Sequence, residues 1–345
     1  MFERLKKIIT LSALITFLSC ASVSDSYKAP PREPAEEMDN PFILNINSYG
    51  RKFTMLVLAD IHGYNRDELV DDYEAWEKHL QSISRSFDDN FSNTRAVLEK
   101  ALEADVDFVL IPGDVTVDGE KAGHEMLASI LSEFRGKGLK FYTVPGDHDV
   151  NIYRGRQFLK GKSGYAPNIS ADEFAEIYAD HGYLEAFSRD PYSLSYAVKP
   201  YPGVILFCID SNMYQFNLGF PFRFNTAFSR IKNRTLRWMK SNLKKASDKG
   251  KTIIVMHHHP LYETVFPRWT VIANSKKVRE IYREYGVSLV IAGDRHRYYI
   301  NSKYLPPQIV APALSGSPED ALLIRIKEEG RAEVIYNPFF PAPEQ

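Results

Sequence analysis

The sequence predicts an α/β protein built on buried strands that carry their chemistry at one end. Three observations make that prediction. Five short apolar runs, at residues 52–60, 107–114, 140–149, 251–259 and 287–294, are nearly continuous rather than alternating, as in strands covered on both faces. Helix-period segments separate the first three, the strand–helix–strand order of a sheet with crossover helices. Every run stops at an Asp or a His, with Gly113, Gly146 and Gly293 immediately before the acid. A rigid strand that ends in a glycine turn is a common way to aim polar side chains into a cleft.

The chain has 345 residues, enough for a sizeable core and one large or two ordinary domains. It is 25% charged and 44% hydrophobic, as soluble globular proteins are. A formal net charge of −1 excludes a global nucleic-acid or membrane footprint. Two cysteines, Cys20 and Cys208, exclude a disulfide scaffold. Cys208 lies inside the apolar run VILFCID and reads as a buried, unpaired thiol.

Residues 1–20 read as a signal peptide of lipoprotein type. Arg4, Lys6 and Lys7 form a basic start, residues 8–18 an apolar stretch too short to span a bilayer comfortably. The ending Phe17-Leu18-Ser19-Cys20 resembles a bacterial lipobox, with Phe17 where Leu is usual, and implies a lipid-bearing Cys20. An ordinary cleaved signal or a single anchor is the other reading. Residues 21–45 are polar and rich in Ser, Pro and Glu and read as a flexible tether, leaving 46–345 as the folded domain. The expected location is the cell envelope, with membrane contact through Cys20 only.

Along the folded part, residues 66–87 favour helix. A helical segment starts at Ser92 with Val97, Leu98, Ala101 and Leu102 on one face. Residues 120–134 are helical, with Met126, Leu127, Ile130, Leu131 and Phe134 at core spacing. Residues 151–168 read as a loop. Ser170 to Glu173 is a capping box that opens a short helix ending near Gly182. Residues 194–210 read as a hairpin, 211–229 as an aromatic rim, and 230–249 as a basic amphipathic helix. Short runs after Arg297 end in a hairpin through Glu329 and Gly330. These hairpins exclude a simple doubly wound sheet. His79, His124 and His181 lie in helical or loop segments and read as surface residues.

Together the ends are Asp60-x-His62, Gly113-Asp114, Gly146-Asp147-His148-Asp149, His258-x-Pro260 and Gly293-Asp294-x-His296. If the strands share one sheet, these carboxylates and imidazoles converge, and so many charges need cations. A mixed Asp/His set suits Zn, Fe or Mn more than a dedicated Mg or Ca cage. Two metal ions sharing a carboxylate are the usual arrangement for phosphate-ester hydrolysis.

The ordered set D-x-H, GD, GNH[D/E], H, GHxH resembles that of the calcineurin-like metallophosphoesterases, over residues 51–339. The segments GDVTVDGEKAGHEML and EIYADHGYLEAFSRDPYSLSYAV resemble its cyclic-nucleotide phosphodiesterase-like branch. The resemblance implies a four-layer α/β/β/α sandwich of two mixed sheets flanked by helices. It also implies two divalent metal ions (Mn, Fe, Zn or Mg) and attack on a phosphodiester or phosphomonoester, nucleotides included, by a metal-bound hydroxide. Carried over by position, Asp60, His62 and His296 would hold the first ion, Asp114 would bridge, and Asp147 and His258 would hold the second, with His257 as the fallback for His258. His148 would be the general acid, with Asp149 orienting it. Strand alternation would turn His257 and His259 away from His258.

Two positions depart from the family pattern. Asp147 stands where Asn is usual and Asp294 where His is usual, both at the second ion. The usual set of two carboxylates, two divalent ions and a hydroxide sums to about +1, and two further carboxylates bring it to about −1. An anionic ester would then meet a negative site, although added carboxylates favour harder ions such as Mn²⁺ or Mg²⁺. The alternative is therefore a catalytically impaired fold used as a surface binding module. Arg295, Arg297 and Arg268 are the basic residues near the site, and residues 151–168 and 211–229 are the loops expected to select substrate.

Overall fold

The computed structural model describes residues 41–83, 90–219, 221, 228–262, 271–315 and 317–340. The expected signal, Cys20 and Arg268 lie outside them. In chain order, strands β1 (Phe42–Asn45) and β2 (Phe53–Val57) precede helices α1 (Arg66–Leu69), α2 (Tyr73–Ile83) and α3 (Asn90–Glu103). Strand β3 (Phe108–Ile111), helix α4 (Lys121–Gly136) and strand β4 (Phe141–Thr143) follow. The loop after β4 holds a two-residue pair, β5 (Arg156–Gln157) and β6 (Gly164–Tyr165), before helix α5 (Ala171–Ile177). Next come β7 (Ser188–Arg189), β8 (Tyr196–Val198), β9 (Val204–Ile209), α6 (Asn233–Asp248), β10 (Thr252–His257), α7 (Ser275–Glu284) and β11 (Leu289–Ala292). Strands β12 (Tyr299–Asn301), β13 (Gln308–Val310), β14 (Leu322–Ile326) and β15 (Arg331–Tyr336) close the chain.

The strands form two mixed sheets, β1-β15-β14-β2-β3-β4 and β12-β13-β11-β10-β9-β8-β7. Strands β2, β3 and β4 are parallel in the first, and β9, β10, β11 and β13 in the second. Alternation along β10 explains the layering. Ile254 and Met256 join Leu206, Leu289 and Ile291 in the core that also holds Met55 and Val109 of the first sheet. Ile253 and Val255 face the other way, onto Leu236 and Met239 of α6 and Val278 and Ile281 of α7. Each fully buried aliphatic side chain contributes about 1.5–3 kcal/mol. Val97 and Leu98 of α3 and Leu127 and Leu131 of α4 pack onto the first sheet. The order of layers is therefore helix, sheet, sheet, helix.

The capping box is present: Ser170 Oγ accepts from the Glu173 amide at 3.2 Å, and Glu173 accepts from the Ser170 amide at 2.9 Å. The β8–β9 and β14–β15 hairpins fall where expected. Four expectations change. The strand ends come from two sheets, three from the first and two from the second. Residues 42–45, expected in the tether, are an edge strand instead, with Phe42–Asn45 paired to Val334–Arg331. His124 and His181 are buried, not on the surface. His124 reaches Tyr178 Oη (3.1 Å) and the Asp149 carbonyl (3.0 Å), so a buried imidazole is satisfied by hydrogen bonds. Helix α7 has no counterpart in the expected elements, although Val278, Ile281 and Tyr282 carry helical spacing.

Candidate metal centre

The two sheets are stitched together where their parallel strands end. The Asp294 amide, after β11, donates to both oxygens of Asp60, after β2, at 3.0 and 3.1 Å. His258, after β10, donates from Nδ1 to the Pro112 carbonyl, after β3, at 2.8 Å. Gly113 permits this approach. Its φ is +98°, and a Cβ there would lie 2.6 Å from the Gly146 amide nitrogen and 2.8 Å from His258 Nδ1. Asp60, His62, Asp114, Asp294 and His296 all have left-handed backbone, with φ between 46° and 72°. Asp and His tolerate that region better than most residues, at a cost of about 1–3 kcal/mol each, and such strain collects at functional sites.

Two donor groups result. One ligand atom from each of Asp60, His62, Asp114 and His296 lies within 4.8 Å of the others, and the same holds for Asp147, His258, His259 and Asp294. Asp114 faces both groups: its Oδ2 is 3.6 Å from His62 Nε2 and its Oδ1 is 3.5 Å from His258 Nε2. The Thr116 carbonyl lies 3.2 Å from His62 Nδ1 and can only accept, so that nitrogen carries the proton and Nε2 presents a lone pair. His258 Nδ1 likewise carries its proton on the Pro112 carbonyl, and its Nε2 faces the centre. Both departures from the family pattern turn inward, with Asp147 Oδ1 at 3.2 Å and Asp294 Oδ1 at 3.9 Å from His258 Nε2.

This donor set fits divalent cations. Burial, with Asp114 and Asp294 adding repulsion, holds the Asp60 carboxyl well above its usual range. Burial pushes Asp114 up to about 6 and Asp294 to about 7, against the pull of His258. Asp147 goes the other way: burial opposes its charge, but the His258 hydrogen bond and the neighbouring His148 hold it low. Buried carboxylates this close repel one another unless protons or cations intervene. His62 Nε2 and His296 Nε2 are only 3.0 Å apart, an arrangement that a shared cation relieves. The residues that would hold the ions are thus Asp60, His62, Asp114 and His296 on one side and Asp114, Asp147, His258 and Asp294 on the other.

His148 lies beside both carboxylates, with a ring nitrogen within 4.8 Å of ligand atoms of Asp114 and Asp147. Its Nδ1 is engaged by the Val117 carbonyl (2.6 Å) and Asp118 Oδ1 (3.1 Å), which leaves Nε2 for chemistry. Burial opposes its charge, but Asp114, the Asp118 hydrogen bond and Asp147 raise it to about 10.

Three expectations change here. Asp149 does not orient the His148 ring. Its oxygens accept from the amides of Val115 (3.0 Å), Thr116 (3.1 Å) and Gly146 (2.7 Å), so it ties the Asp114 turn to the Asp147 turn. Asp118 takes the orienting position. His257 faces the α7 side, its ring stacked on Tyr282 at 6.4 Å between centroids, and is no substitute for His258. His259 does not turn away, because β10 ends at His257 and the alternation stops there.

Arg154 was not singled out from sequence. Its Nε donates to Asp118 Oδ1 at 2.5 Å, and its Nη2 lies 3.3 Å from the His148 ring nitrogens. The only signal was its place in the loop after Asp149. Arg295 lies against Asp294, with Nε 3.6 Å from Oδ2.

The chain matches the family described as calcineurin-like phosphoesterase over residues 53–298. No curated protein matches it in sequence. A dimetal phosphatase from Danio rerio is similar in fold at a TM-score of 0.58 and 15% identity, covering 83% of this chain and 99% of that one. A purple acid phosphatase from yellow lupin (Lupinus luteus) seeds is similar at a TM-score of 0.50 and 12% identity, covering 86% of this chain and 53% of that one. With a family match that runs through all five strand ends and a sandwich whose parallel strands deliver them to one place, this chain belongs to the calcineurin-like phosphoesterases.

Proposed function

We propose that the protein hydrolyses a phosphate ester, diester or monoester, at a dinuclear metal centre. The observation that carries this reading is Asp114, whose two oxygens face two separate donor groups. Divalent ions bound there supply an activated water and neutralise charge on the phosphoryl oxygens. His148 stands ready to donate its Nε2 proton to the leaving oxygen, with Asp118 and the Val117 carbonyl fixing its ring. Arg154, partly exposed and beside His148, is placed to bind a phosphoryl oxygen. The likeness of residues 113–127 and 176–198 to the cyclic-nucleotide phosphodiesterase-like branch supports a nucleotide diester as substrate. The lipobox-like ending at Cys20 supports an exported protein held at the cell envelope by lipid.

The added carboxylates of Asp147 and Asp294 favour one other reading, an impaired enzyme retained as a metal-dependent binding module. Metal analysis of the purified protein, paired with hydrolysis of bis- and mono-(4-nitrophenyl) phosphate under Mn, Mg, Zn and Fe, separates the two. Two bound ions and turnover lost in Asp114→Asn support the enzyme. Absence of turnover with every ion overturns it.

A further inference from the structure

We propose that His259 is a ligand of the second metal ion, through Nε2, and that Ser211 positions its ring for that role. This rests on the dinuclear reading and deepens it, because the family pattern assigns nothing to the residue before Pro260.

His259 is 2% exposed, and its Nε2 has no hydrogen-bond partner. A buried polar atom left unpaired costs about 1–3 kcal/mol, so its presence calls for an explanation. The surroundings supply one. A ring nitrogen of His259 lies within 4.8 Å of ligand atoms on Asp147, His258 and Asp294. Nδ1 is taken by Ser211 Oγ at 2.9 Å, so Nε2 is the nitrogen left to face them. Ser211 Oγ also accepts from the His259 amide at 3.4 Å; its second lone pair can take the Nδ1 proton, the tautomer that leaves the Nε2 lone pair for an ion. His62 and His258 are built the same way, each with Nδ1 on an oxygen acceptor and Nε2 turned to the centre. An outer oxygen acceptor that fixes tautomer and orientation is what metal-bound histidines have.

The rest of the second site explains why an additional imidazole has a place there. Two carboxylates occupy positions where the family pattern has a neutral amide and an imidazole. His259 returns a neutral nitrogen donor without adding negative charge. The set becomes Asp114, Asp147, Asp294, His258 and His259, three carboxylates and two imidazoles. Five donors exceed the four of tetrahedral zinc and suit Mn²⁺ or Fe²⁺.

The test is Mn²⁺ binding to the full chain by equilibrium dialysis, together with proton NMR of the Co²⁺-loaded protein, in which each metal-bound imidazole contributes a strongly shifted N–H signal. The wild type should bind two equivalents. His259→Gln should weaken the second equivalent at least about tenfold and remove one shifted signal. His257→Gln should change neither, and Ser211→Ala should weaken the second equivalent while keeping the signal. If His259→Gln fails to fold, Ser211→Ala with an unaltered second equivalent overturns the proposal. Two equivalents in the wild type, with binding and signals unaltered in His259→Gln, overturn it while the dinuclear centre stands. Fewer than two equivalents in the wild type overturn both.

Discussion

The two donor groups face the same cleft but are built differently. In the first, all four residues (Asp60, His62, Asp114 and His296) have φ between 46° and 52°. Their side chains point inward because the backbone is bent into a conformation that few residues accept. In the second, Asp294 has left-handed backbone at φ 72°, while Asp147, His258 and His259 do not share it. Those three hang from ordinary strand ends, where a different side chain fits without rebuilding the turn. The first group has kept the family pattern, and both departures fall in the second. Backbone conformation does not by itself separate the departures, since Asp147 lies on ordinary backbone and Asp294 at φ 72°; what they share is their place around His258.

That contrast is sharpest at Asp114, which serves both groups. Asp114→Asn should have the largest effect of any single change: turnover falls to background and both metal equivalents weaken. Asp60→Asn should weaken one equivalent and His258→Gln the other, as read by dialysis of each variant against Mn²⁺. If Asp60→Asn and His258→Gln remove the same equivalent, the division into two groups is wrong.

Asp118 offers the next effect, on the side where His148 meets Asp147. It touches neither donor group and acts by holding the His148 ring. A positioned general acid contributes about 10²–10⁴-fold, and Asp118→Asn should forfeit part of that, roughly 10–100-fold in kcat for an alkyl ester. KM and metal content should stay close to wild type. A nitrophenyl ester, whose leaving group needs no proton, should hide most of the loss. Equal losses on both esters would remove His148 from the acid role.

Much of this was legible in the sequence. The buried strands announced themselves as continuous apolar runs, and the candidate ligands as the residues that stop them. Asp60, His62, Asp114 and His296 were readable because each follows a buried strand in the order of the D-x-H, GD and GHxH blocks. Their partition between two sheets was not, since strand pairing is non-local. Asp118 and Arg154 were not readable either: each is ordinary in its own segment and gains meaning from a contact with His148 some 30 and 6 residues away. His259 was misplaced because period-two alternation was carried past the end of β10. His124 was misplaced because helical position alone does not show which face an α/β layer covers.

The smallest effect probes the contrast most directly. If the second group has been remade around Asp147 and Asp294, restoring the family residues should move the metal preference and not only the rate. In Asp147→Asn with Asp294→His, two negative charges leave the cleft and an imidazole enters. The site becomes more neutral toward an anionic ester and softer toward the ion. Zn²⁺-supported hydrolysis should rise roughly tenfold, or ~1.4 kcal/mol of barrier, while Mn²⁺-supported hydrolysis falls. The first equivalent, held by the residues with left-handed backbone, should bind as before. The measurement is kcat/KM for one diester under Zn²⁺ and under Mn²⁺, with metal content in parallel. A rise under both ions would mean that charge alone limits the wild type. No rise under either would mean that the second group, with His259 in it, already works with its carboxylates in place, and that the reversion has taken apart a functioning site.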